Sequence, residues 1–378
     1  MNLPSRFAHE SHRSPDRLPA PGRWLLGCAL LAAAIAGWSP AGAHARQVDT
    51  FRLPNPLDVE RSAVAYDGLT DGVYIAMNTL LVVYVHQGGK SINPFPRLTG
   101  VTALAFDDDR KLGFAAVYLG QGIKNNGQVV VFKLDAAFDK VKTLAVGNDP
   151  VAMVRDPGSG LIFTANAESS SISVIDPQTD SVKATISLKH NPGALAVDGQ
   201  GRLFIGYTEV DSITAISTST LQELKTWPIT RGIDPPALAY DNRQNLWYIV
   251  RRNESLVILN PATDQTTPDS VELPIGNCAT GCVYDAAVDS VYLASGTSGL
   301  VESVHAASVQ SVSPIGVQQV EAGSRLIACD QEHDRLFVVE CDECPGEKAE
   351  EKHPAHEQTK SGTFVLTELE NLNTAGGK

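Results

Sequence analysis

The sequence predicts an all-β chain of four-stranded antiparallel sheets repeating along its length. Three observations predict it. Residues 147–188 read as four short β-branched or apolar strands separated by turn-forming residues, an apolar run ending in Asp recurs through the chain, and no amphipathic helix fits the repeating unit. One sheet of this size cannot bury its own faces, so each copy must pack on its neighbours.

The clearest copy supplies the template. Its strands are Val151 to Arg155, Leu161 to Asn166, Ser171 to Ile175 and Val182 to Leu188. The breaks are Asp156-Pro157-Gly158, Ala167 to Ser170 and Asp176-Pro177-Gln178, built from residues that favour turns. Asp156, at the end of the first strand, marks the register. The same event recurs at Asp67 (AVAYD), Asp107 (TALAFD), Asp198 (GALAVD), Asp241 (PALAYD), Asp285 (GCVYD) and Asp330 (RLIACD), with steps of 40, 49, 42, 43, 44 and 45 residues. Four strands per forty-odd residues is the signature of a propeller blade, so a seven-bladed β-propeller is expected. Each Asp is expected to open a turn by bonding nearby backbone, which explains the marks more simply than an acidic ring for metal.

Fourth strands are legible in the first six units only. After Leu369 the chain has no apolar run left, whereas Gln47 to Leu53 precedes the first unit. That segment is expected to supply the outer strand of the last blade and to cover its exposed edge. The propeller is thus assigned to 46–370, with a long loop at 341–361 in its last blade and a flexible tail at 371–378.

The front of the chain has a different character. A polar stretch with Arg6, Arg13, Arg17 and Arg23 leads into LLGCALLAAAIAG, too short to span a bilayer comfortably, and then to Ala43-His44-Ala45. This reads as a secretory signal over 1–45, with a periplasmic or secreted product and no stable membrane anchor after cleavage. Cleavage takes four arginines, Glu10 and Asp16 from the 30 basic and 43 acidic side chains, leaving 26 against 41, a net charge of −15. Such a surface repels phosphate backbones and disfavours nucleic acid.

The stretch LIFTANAESSSISVIDPQTDSVKATISL resembles the YVTN repeat of bacterial β-propellers, through Phe163, Thr164, Asn166, Val174, Ile175, Asp176, Ala184, Thr185 and Ile186. The match is close over about one blade and loose over 189–261. The first, second, sixth and seventh units depart from it, with Asn78 as a remnant. The resemblance implies a seven-bladed extracytoplasmic protein, often of binding type, and fixes no substrate.

Candidate chemistry lies at two places. Loops entering the first strands and loops joining strands two and three share one face at the channel mouth, where Arg61, Asp149, His190, Asp234 and Arg325 are the ligand-binding candidates, with Thr99, Asn191, Arg231, Asn277 and Ser324 beside them. These groups suit a protein or a small polar ligand, or equally a water-filled hole. Cysteines cluster in the last third. Local disulfides Cys278–Cys282 and Cys341–Cys344 suit an oxidising compartment and leave Cys329 as a buried thiol on an inner strand. Alternatively, Cys341 and Cys344 with His353 and His356 have near-zinc spacing, and copper(I) would accept the same set. Redox exchange at Cys341–Cys344 is the third reading.

The chain shows no serine nucleophile elbow, phosphate-cradling glycine loop or zinc-protease helix motif. The expected function is therefore a monomeric, non-enzymatic binding or scaffold propeller without a required cofactor. The alternatives are zinc or copper binding through the 341–361 loop, and a lactonase-like hydrolase using His190 with Asp149 or Asp234.

Overall fold

The computed structural model describes residues 46–53, 62–77, 80–85, 91–95, 98–135, 139–229, 237–251, 255–266, 279–295, 299–320, 326–341 and 364–370. Contacts divide the chain into Met1–Gly42 and Ala43–Lys378, and every described strand lies in the second unit.

The strands form seven four-stranded antiparallel sheets. Sheet one holds Ser62–Asp67, Gly72–Met77, Leu80–Val85 and Ser91–Phe95. Sheet two holds Val101–Asp107, Leu112–Tyr118, Gly127–Lys133 and Lys140–Ala145. Sheet three holds Pro150–Arg155, Ile162–Asn166, Ser171–Asp176 and Ser181–Ser187. Sheet four holds Pro192–Val197, Arg202–Tyr207, Ser212–Ser217 and Glu223–Pro228. Sheet five holds Ala237–Asp241, Leu246–Arg251, Ser255–Asn260 and Gln265–Thr266. Sheet six holds Ala279–Asp285, Ser290–Ser295, Leu300–Ser308 and Ser311–Gln319. Sheet seven holds Leu326–Asp330, Arg335–Cys341 and Phe364–Glu370, with Arg46–Leu53 on its outer side. That last strand pairs antiparallel with Phe364–Glu370, from Arg46 opposite Glu370 to Leu53 opposite Phe364. First strands neighbour first strands in sequence order, and the first strand of sheet seven lies beside that of sheet one. The architecture is all-β and propeller-like, with four-stranded antiparallel blades.

Hydrophobic cores sit between consecutive sheets, because the second and third strands are apolar on both faces. Between sheets three and four, Phe163, Ile172 and Val174 meet Leu203, Ile205 and Tyr207. Between four and five, Phe204 stacks on Trp247 with centroids 4.0 Å apart. Fully burying one such side chain contributes roughly 1.5–3 kcal/mol. The junction of sheets seven and one is more polar. Tyr66 stacks on Phe337 at 5.6 Å, and Arg335, 3% exposed, bonds Asp330, Asp71 and the Tyr66 hydroxyl.

The fourth strands share a device that the sequence reading missed. In sheets two, three, four and six the pairing skips one outer-strand residue: Val141, Lys183, Leu224 or Ile315. Each is the extra residue of a β-bulge, and three of the exposed large hydrophobics, Val141 at 44%, Leu224 at 54% and Ile315 at 47%, are these bulged residues.

Candidate functional site

The first strands run from a loop face to a turn face, and their two ends are built differently. At the turn face, all seven register aspartates are buried, none more than 6% exposed. Six accept backbone N–H bonds within their own turns. Thr70 N donates to Asp67, Gly158 N and Ser159 N to Asp156, Gln200 N and Arg202 N to Asp198, Arg243 N and Gln244 N to Asp241, Ala287 N to Asp285, and Glu332 N to Asp330. Asp107 is held instead by the Arg110 guanidinium at 2.9 Å. The turn reading of these marks therefore describes their chemistry.

Four residues beyond the Asp, six of the turns close through a left-handed residue: Asp71 (φ 48°), Lys111 (54°), Gly160 (70°), Asn245 (55°), Asp289 (54°) and Asp334 (55°). Asp, Asn and Gly tolerate this region best, so that position carries a signal the sequence reading passed over. Three of these residues have a second use. The hydroxyls of Tyr66, Tyr240 and Tyr284 donate to Asp71, Asn245 and Asp289 at 3.0, 2.9 and 2.9 Å.

A cavity of about 470 Å³ opens at this end, between the first strands of sheets four to seven. Its lining includes Leu238, Tyr240, Cys282, Tyr284, Cys329 and Gln331. Cys282 and Cys329 are both free thiols. Cys278, the partner expected for Cys282, is not among the described residues. Ala279–Asp285 is strand rather than entering loop, so Cys282 pairs across from Leu293 and packs against the core between sheets five and six. Cys329 sits on an inner strand as expected, its Sγ donating to Asp285 Oδ2 at 3.6 Å. Burial pushes both thiols well above their ordinary range, and for Cys329 the carboxylates of Asp285 and Asp330 push further. Burial also raises the Asp285 carboxyl, against the pull of its bonds from the Ala287 N–H and the Cys329 thiol. Tyr240, Tyr284 and Gln331 have already committed hydrogen bonds within the fold.

The loop face is held by ties between neighbouring sheets. Asn126, 1% exposed, accepts from Asp149 N at 2.8 Å and donates to Glu168 at 3.1 Å. Ser170 donates to Asn191 at 2.6 Å, and Asn191 donates to Glu209 at 2.9 Å. Asp149 takes φ 53°, which aims its backbone N–H at Asn126 and its carbonyl at Ala167 N. His190 is exposed, its ring edge-on to Tyr207 at 5.7 Å. The Asn126 loop also presents Leu119 at 41% and Ile123 at 47% exposure. The structure thus places Asp149 and His190 on adjoining connectors. Arg61, Asp234, Arg325, Cys344, His353 and His356 lie outside the described residues. Cys341 ends its strand opposite Phe364.

No family model matches this chain, and no curated protein does. Solved structures do. A chain from the crystal structure of a mitotic checkpoint complex aligns with a TM-score of 0.66 and 12% identity, over 89% of this chain and 96% of that one. Hydrazine synthase of Kuenenia stuttgartiensis aligns with a TM-score of 0.62 and 10% identity, over 78% of this chain and 95% of that one. At such identities the likeness establishes the fold alone, a β-propeller.

Proposed function

We propose that this chain is an extracytoplasmic seven-bladed propeller of the YVTN type, its ring closed by 46–53, that works as a binding scaffold without catalysis of its own. The loop face, with Asp149, His190 and the outlying Arg61, Asp234 and Arg325, meets a protein or a small polar ligand. One observation carries this reading. Hydrogen-bonded ties through the buried Asn126 and the half-buried Asn191 fix the connectors in place, while His190, Leu119 and Ile123 stand exposed on this face. Pre-ordered exposed side chains on a rigid frame lower the entropic cost of binding.

The test is site-specific photo-crosslinking in cells that export the protein, with a photoreactive residue replacing His190 or Ile123 and the same residue at Leu224 on the outer rim as control. A discrete adduct from the two loop positions, lacking at Leu224, is expected. Equal labelling from all three positions would sink the reading, as would recovery of the chain in the cytoplasm with residues 1–45 attached.

A second reading, zinc or copper(I) at Cys341, Cys344, His353 and His356, has one supporting feature. Cys341 and Phe364 face each other across adjacent strands, so the segment carrying these ligands leaves and rejoins the sheet at one point. Native mass spectrometry decides it: one bound metal per chain, lost in Cys344→Ser, is the expected result, and a Cys341–Cys344 disulfide without metal removes it.

A further inference from the structure

The turn-face cavity of about 470 Å³ has room for a small organic molecule, and its wall restricts what that molecule can be. Most of the polar side chains on the wall are spent inside the fold. Tyr240 and Tyr284 donate to Asn245 and Asp289, and Gln331 donates to the Tyr284 carbonyl at 2.8 Å. Asp198 accepts from the Gln200 and Arg202 backbone N–H groups and from the Arg202 guanidinium. What remains is largely carbon and sulfur: the two tyrosine rings, Leu238, Val283 and the free thiols of Cys282 and Cys329.

Behind this wall lie buried carboxylates without counter-charges. Cys329 donates across 3.6 Å to Asp285 Oδ2, which places the Asp285 carboxyl one thiol away from the cavity. The other donors to Asp285 are backbone N–H groups, none of them a cation. Asp241, between the lining residues Tyr240 and Asn242 in the chain, is likewise buried and accepts from the Arg243 and Gln244 backbone N–H groups. The arginines at this end are engaged elsewhere: Arg202 with Asp198, Arg335 with Asp330 and Asp71, and Arg243 at 3.9 Å from Asp289. Uncompensated negative charge beside a low-dielectric cavity draws cations and repels anions. Tyrosine rings act in the same direction, because their faces attract an ammonium group. A metal ion fits poorly: among the described residues, no three His, Cys, Asp or Glu side chains are grouped to hold one.

We propose that this cavity binds a small organic cation, an alkylammonium ion whose charge lies by the tyrosine rings and the Asp285 carboxylate and whose carbon body meets Leu238 and Val283. The state of Asp285 agrees, since burial without a cation raises its carboxyl and a bound ammonium would bring it down again. The site lies at the opposite end of the first strands from the loop face. It does not depend on the binding role proposed there.

Choline and dimethylbutanol, which replaces the ammonium nitrogen by carbon, test the charge at constant shape. In NMR titrations of the full chain, choline should saturate one site and the alcohol should bind at least about tenfold more weakly. Equal affinities overturn the proposal, as does the lack of saturable choline binding at millimolar concentrations. Asp285→Asn keeps an acceptor for the turn and removes the charge, so it should weaken choline by about tenfold and leave the alcohol unchanged. The wild type alone places the site, whether or not that variant folds. Intermolecular NOEs from the choline methyls to the rings of Tyr240 and Tyr284 are expected, and contacts confined to other aromatic rings would refute the assignment.

Discussion

The two ends of the inner strands make opposite use of the same backbone. At the turn face one solution is repeated, a buried Asp bonded to its own turn and a left-handed residue closing it. At the loop face the described connectors differ from one another, and the ties run between sheets through individual side chains such as Asn126 and Asn191. One end therefore repeats a turn built within each sheet, while the other ties sheet to sheet through side chains particular to each place.

Substitutions should separate the two ends by size of effect. The largest loss is expected for Arg335→Met, which strands Asp71, Asp330 and Glu368 around an uncharged side chain at the junction of sheets seven and one. Breaking a buried ion pair costs roughly 3–5 kcal/mol, measurable as a shift in urea midpoint. Burial alone would raise the Asp330 carboxyl, but its bonds from Arg335 and His333 outweigh this and hold it below its ordinary range. This contribution is present at neutral pH and is lost in strong acid, so the gap between Arg335→Met and wild type should narrow there.

Asp156→Ala comes next. It strips the bonds from Gly158 N, Ser159 N and the Ser159 hydroxyl, a loss of roughly 2–3 kcal/mol on the same assay. Lys111→Gly should instead stabilise by up to about 1 kcal/mol, because Lys111 holds φ 54° with its side chain exposed. The smallest change belongs to the loop face: His190→Ala should stay within about 0.5 kcal/mol of wild type in denaturation. A His190 effect as large as that of Asp156 would erase the contrast between the ends. Alkylation followed by mass spectrometry adds a check on the cavity. Cys282 and Cys329 should label slowly in the folded protein and fast in urea, since burial keeps both thiols protonated.

Much of the frame was legible in the sequence, because the apolar-then-Asp event has a local cause. Asp67, Asp107, Asp156, Asp198, Asp241, Asp285 and Asp330 each end a first strand, or directly follow one, and the segment from Gln47 pairs where a missing outer strand was expected. What escaped depended on geometry between strands. The pairing of Cys282 opposite Leu293 is one such case, since spacing to Cys278 suggests a local staple, whereas the alternation of Cys282 and Tyr284 follows the pleat of a strand. The outer-strand bulges leave no sequence mark, as Val141, Lys183, Leu224 and Ile315 share neither size nor charge. The cavity was missed for a related reason. It is bounded by four separate first strands, and periodicity within one strand carries no information on the width between them.

Those bulges bear on how the molecule behaves in a crowd. A flat rim would offer each sheet as a seed on which another molecule could lay its own strand, and so begin a fibre. With the ladder broken at Val141, Lys183, Leu224 and Ile315, such growth finds no continuous row of donors and acceptors on four of the sheets. On these four rims a strand arriving from outside would have to follow the kink as well as match the register.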